Sequence, residues 1–134
     1  MGEGDKKSVR KDGQDMKVIV KAKELTVQTF RLTINTNRYP KKLRHSLVDK
    51  IQIKSLEIYE TLFEANRINN ATHKDERCEM ITKAITYCDE LNFFIELSIE
   101  LSLLNDGSAG YWSNLVSDVK NMAIAWRRSE RARQ

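Results

Sequence analysis

From Lys17 onward the apolar residues of this 134-residue chain recur at steps of three and four. That spacing lines one face of an α-helix. Val18, Ala22, Leu25 and Thr29, flanked by Ile19, Phe30 and Ile34, predict a first helix over 17–35, even though many of its residues are β-branched and stiff at χ1. The following Asn35-Thr-Asn-Arg-Tyr-Pro40 is rich in turn formers. Pro40 disfavours helical backbone at Tyr39 and suits the first position of a helix, so a second helix is predicted to open there. Its Leu43, Leu47, Ile51, Ile58, Leu62 and Ala65 fall within about 100° of one another and form a core face.

Asn69-Asn-Ala-Thr72 marks the next break, with Thr72 as the expected cap of a third helix and Asp75 and Glu76 in its positively polarised first turn. That helix is predicted to reach about Asn105, with Ile81, Ala84, Cys88, Leu91, Ile95 and Ile99 as its core stripe. Asn105-Asp-Gly-Ser-Ala-Gly110 reads as the last loop. Beyond it Trp112, Leu115, Val116, Val119, Met122, Ala123 and Trp126 predict a fourth helix ending near Arg127. Loops of roughly three to seven residues make sequential helices antiparallel neighbours. The expected fold class is therefore all-α: an antiparallel up-down-up-down four-helix bundle over 17–128. Residues 1–16 carry alternating charges and only Val9 and two Met as apolar groups, too few to offset the entropy of ordering, so a mobile charged arm is expected. Residues 129–134 are expected as a frayed, Arg-rich tail.

Composition narrows the picture. One Pro and five Gly, three of them within the first 13 residues, leave too few turn formers for a many-stranded sandwich or barrel. No apolar run approaches the roughly 18 residues of a membrane span, and the N-terminus is charged where a signal peptide is greasy. A cytoplasmic protein with no membrane contact is the expectation. Cys78 and Cys88 lie ten residues apart on one predicted helix, about 15 Å along its axis. They are too far apart to bond to each other and read as reduced, buried thiols.

Two helices carry more apolar surface than one stripe. Ile53, Leu56, Tyr59 and Phe63 lie off the core face of the second helix, and Phe93, Phe94, Leu97, Leu101 and Leu104 lie off that of the third. A helix apolar on two faces is central in a larger core or pressed against another subunit. All of these except Leu104 are the expected interface of a homo-oligomer.

Charge is segregated along the chain. Residues 1–54 hold 14 Lys+Arg against 6 Asp+Glu, residues 55–119 hold 4 against 12, and residues 120–134 hold 5 against 1. The basic residues gather at Arg38, Lys41, Lys42, Arg44, His45, Lys50 and Lys54, and again at Lys120, Arg127, Arg128, Arg131 and Arg133. Two basic poles around an acidic middle suit a polyanion such as nucleic acid. Aromatic-and-glycine signatures of single-strand readers are missing, so contact to RNA or DNA would run through phosphates and shape. The candidate phosphate contacts are Arg38, Lys41, Lys42, Arg44, Lys50 and Lys54, with Arg127 and Arg128 second.

Catalytic parts are not visible in the sequence. The residues three before His45 and His73 are Lys42 and Asn70, not the Glu of a di-iron bundle. There is no phosphate loop, spaced Cys/His zinc set or nucleophile elbow, so neither metal nor other cofactor is expected. His45, Ser46 and Asp49 name the members of a triad, but one short exposed turn cannot converge them as a relay requires. Glu57, Glu60 and Glu64, like Glu96 and Glu100, read as an acidic stripe facing solvent or a neighbour's basic residues. The chain reads as a binding protein and not as an enzyme. The alternative from another class is an oligomeric protein-interaction scaffold that docks a partner through its acidic middle and binds no nucleic acid.

Tyr39-Pro40-Lys41-Lys42-x-Arg44-x-x-Leu47, followed by Ile51, Leu62-x-x-Ala65-Asn66-Arg67, the helix from Leu91 to Leu104 and a terminal Ala125-Trp126, resembles the Avd-like four-helix bundle family. These are the accessory variability determinants of diversity-generating retroelements, with related bundle proteins encoded in ribosomal-RNA intervening sequences. The resemblance covers about 17–128. It implies a homopentameric barrel whose basic surface binds an error-prone reverse transcriptase and its template RNA.

Overall fold

The computed structural model describes the backbone of residues 3–133 and the side chains of residues 17–133. Four α-helices dominate, with no strand among the described residues: α1 Glu3–Thr33, α2 Asp49–Arg67, α3 Asn70–Glu100 and α4 Asp106–Ala132. The backbone of α1 starts well before the predicted Lys17. Met1, Gly2 and Gln134, and the side chains through Met16, lie outside the described residues, and the expected arm falls largely among them. Each helix packs on the next in sequence and α1 closes against α4, giving a four-helix bundle.

The predicted stripes meet in one core. Leu25, Ile51, Ile58, Leu62, Ile81, Leu91, Ile95, Trp112 and Trp126 are almost wholly buried. Thr29 belongs there for a polar reason. The buried Trp112 indole donates from Nε1 to Thr29 Oγ1 at 2.9 Å, and that hydroxyl donates to the Leu25 carbonyl at 2.8 Å. A buried indole N–H needs such a partner. Both cysteines are buried and unpaired, as their spacing implies.

The helix ends depart from expectation. Asn69 caps α3, its side chain accepting from the Ala71 amide at 2.8 Å, whereas Thr72 lies inside the first turn beside His73. α3 stops at Glu100 and not near Asn105. The Leu103 amide donates to the Ser98 carbonyl and the Ser102 amide to that of Ile99, with Ser102 at φ 59°. These are the paired bonds of a Schellman stop, which usually places Gly at the left-handed position. Ile99, predicted in the core, is exposed, and the neighbouring Ser98 takes the buried position. Asn105 caps α4 by accepting from the Ser108 amide, so the expected loop Asp106–Gly110 is its first turn.

At the far end, α4 runs through the expected tail to Ala132, because Glu130 is buried. Its carboxylate takes Arg77 Nε at 2.9 Å, Asn70 Nδ2 at 2.8 Å and Arg133 Nε at 3.3 Å. Arg77 also donates to the Ile68 carbonyl and lies over the Trp126 ring. Among the described residues no helix is long and apolar enough to cross a membrane.

Candidate nucleic-acid interface

The basic corner is built on irregular backbone. Pro40, at φ −56° and ψ 150°, lacks the amide hydrogen that a preceding helix would need. It opens a 3₁₀ turn, Lys41–Leu43, which widens into a π turn, Arg44–Val48, before α2 begins at Asp49. The second helix thus enters through two non-α turns instead of opening as α-helix at Pro40. Leu47 and Val48 anchor this segment in the core, while Lys41, Lys42 and Arg44 stay exposed.

Two bonds fasten the turn to the rest of the bundle. Tyr39, 1% exposed, donates its hydroxyl to Ser98 Oγ at 2.8 Å, and Ser98 donates to the Phe94 carbonyl. Arg38 Nη1 donates to Ser108 Oγ at 2.8 Å. Burial pushes the Tyr39 hydroxyl above its ordinary pKa, against smaller opposing effects of the Ser98 bond and the Arg38 charge.

The eight candidate phosphate contacts separate into four groups. Lys41, Lys42, Arg44 and Lys50 are exposed and make no ion pair with any described residue. Arg38 is half-buried and engaged with Ser108. Lys54 sits between Glu57 Oε1 at 3.0 Å and Glu90 Oε1 at 2.8 Å, with Tyr87's ring 4.5 Å away. Desolvation lowers the Lys54 pKa, but the two carboxylates outweigh it and the net shift is upward. Its charge is spent on fastening α2 to α3, and it drops out of the exposed set. Arg127 and Arg128 lie at the other end of α4, the first donating to Thr82 Oγ1 at 3.0 Å and the second exposed. From Ser108 to Arg127 is about 30 Å along the helix.

A cavity of about 270 Å³ opens beside the corner, with Lys41, Arg44, Ile34, Pro40 and Val48 in its lining. Asp49 and Gln52 face it from the start of α2. Gln52 Nε2 donates to Thr33 Oγ1 at 3.0 Å, which fixes the amide and leaves its carbonyl oxygen without a partner among the described residues. His45 Nδ1 lies 3.2 Å from Asp49 Oδ2. Among the described residues no cluster of His, Cys, Asp or Glu could hold a metal ion.

The eight residues expected at a subunit interface form two regions. Glu90, Phe94, Leu97 and Leu101 share one stripe of α3 at steps of four, three and four, and Glu90 reaches Lys54 of α2. That stripe faces α2, so Phe94 and Leu97 are half-buried against the bundle's own core. Phe93 at 57%, Ile53 at 54% and Leu101 at 51% remain exposed around it. Leu56, Tyr59 and Phe63 lie instead on the side of α2 that carries Gln52, which reaches α1. On α1, Val20 and Val27 are also exposed, seven residues apart on one face and absent from the sequence-based set. Their heptad spacing was the available signal; the stronger stripe of Val18, Ala22 and Leu25 masked it.

Fold and site together define an all-helical four-helix bundle with a cationic corner and an apolar flank. No protein-family model matches the chain, nor does any curated protein or solved structure.

Proposed function

We propose that this chain is a nucleic-acid-binding accessory protein that associates with a reverse transcriptase and its template RNA in a diversity-generating retroelement of the cytoplasm. The observation that carries the binding half is the set Lys41, Lys42, Arg44 and Lys50, exposed together around one fastened turn and unneutralised by described carboxylates. Cations so placed meet phosphates without first breaking internal pairs. The polymerase half rests on the resemblance carried by the Tyr39-Pro40-Lys41-Lys42 turn.

The reading includes alternating helix direction and assembly of copies, up to a pentameric barrel. The contacts Asn70 with Glu130, Thr82 with Arg127 and Asp89 with Lys120 support opposite directions for α3 and α4. Exposed Val20 and Val27 on α1, and exposed Leu56 and Phe63 on α2, support association.

The test is gel retention of structured RNA by the full chain and by the quadruple charge reversal of Lys41, Lys42, Arg44 and Lys50. Retention at about 100 mM salt by the wild type alone is expected, with a log–log salt slope of roughly −0.7 to −0.9 per phosphate neutralised. Equal retention by both proteins overturns the assignment of phosphate contacts. No retention by either favours the scaffold that docks a protein through its acidic middle.

A further inference from the structure

We infer that the cavity beside the basic turn receives one unstacked nucleotide of a single strand and prefers guanine; this deepens, and rests on, the reading of the chain as a nucleic-acid binder. The cavity, about 270 Å³, combines three kinds of wall that a nucleotide requires together. Lys41 and Arg44 in the lining supply two cations for the phosphate. Ile34 and Pro40 supply an apolar surface for the flat base, and Ile34 is 65% exposed. Asp49 and Gln52 supply acceptors from the same lining.

Those acceptors select the base. Guanine presents two adjacent donors, N1–H and the exocyclic amine, on its Watson–Crick edge, matching the two oxygens of a carboxylate. Uracil presents one donor between two carbonyls that a carboxylate repels, and adenine and cytosine each set an acceptor beside their amine. His45 bonds one Asp49 oxygen and so orients the group, and each carboxylate oxygen still has a lone pair to offer. Gln52, held by Thr33, presents its carbonyl oxygen to the same space. A base inside a duplex cannot present this edge, so the site reads only strands whose bases can be splayed out.

The test uses fluorescence anisotropy at fixed salt with the full chain and two labelled heptamers, U7 and U3GU3. The wild type is expected to bind U3GU3 about tenfold more tightly, the size of one good two-bond base contact. Asp49→Asn, isosteric but unable to accept both bonds, is expected to erase that ratio while leaving U7 binding unchanged or slightly tighter. Gln52→Met is expected to reduce the ratio without altering the salt slope. Equal affinity of the wild type for both heptamers overturns the inference and leaves phosphate binding standing. Tightening of both heptamers by Asp49→Asn with the ratio kept shows a purely electrostatic carboxylate and also overturns it. Failure of the wild type to bind either strand removes the parent reading as well.

Discussion

Arg77 and Glu130 form an ion pair, Nε to Oε1 at 2.9 Å, in which both side chains are almost fully withdrawn from solvent. The pair joins the beginning of α3 to the last turn of α4, and Asn70 and Arg133 complete the carboxylate's partners. Charges removed from water hold a structure together only while both are present.

Glu130→Ala is therefore expected to destabilise the protein by about 3–5 kcal/mol, because it strands a buried guanidinium. Arg77→Met combined with Glu130→Met is expected to recover most of that loss. Urea unfolding of the two variants checks both statements, and a double variant no better than the single one contradicts them.

Ser102 occupies left-handed backbone at φ 59°. A side chain there costs about 1 kcal/mol or more, and Gly avoids that cost while gaining freedom in the unfolded chain. Ser102→Gly is expected to raise stability by about 0.5–1 kcal/mol, and Ser102→Val to lower it by at least as much. Thermal melts of the pair provide the comparison.

Burial pushes the Cys88 thiol from 9.0 up to about 12, with the Asp89 charge adding to the rise and Lys120 opposing it. Below pH 9 the thiol is protonated in both folded and unfolded chains, and its contribution to stability is fully present. Above pH 9 the unfolded chain sheds the proton that the folded chain keeps until about pH 12. Stability then falls by up to about 1.4 kcal/mol per pH unit from this group alone. Tyr39, also raised, adds to the loss on the alkaline side of its ordinary value of 10.0. Cys88→Ala is expected to flatten the decline measured by urea midpoints from pH 9 upward, and parallel slopes would rule out the thiol as its source.

Leu56→Glu with Phe63→Glu places two charges on the α1–α2 flank. Light scattering at micromolar concentration is expected to show a larger assembly for the wild type and a smaller one for this variant. Circular dichroism of the variant should retain the helical signal, since both residues are exposed. A monomeric wild type removes self-association from the proposal.

The helices were legible because the three-and-four repeat of Val18, Ala22, Leu25 and Thr29 reports burial directly, and likewise in the other three. Their ends were not, since the caps at Asn69 and Asn105 and the stop at Ser102 act through one or two local bonds that leave no periodic trace. Glu130 escaped notice for another reason. It continues the stripe of Ala123 and Trp126 at a step of four, as Arg77 precedes Ile81 at the same step, but a hydrophobic pattern assigns a lone charge to solvent. Only the meeting of the two charged positions explains either. Within the basic cluster, Glu57 three residues on was the only local sign that Lys54 differs from Lys50, and its second partner, Glu90, comes from another helix.

The anchoring of Tyr39 to Ser98 and of Arg38 to Ser108 bears on how tightly the corner can bind. Charges carried by a loose loop lose conformational entropy on docking, which subtracts from affinity. Here that ordering is completed during folding, so the backbone beneath Lys41 and Arg44 arrives preorganised and only their side-chain rotamers remain to be fixed.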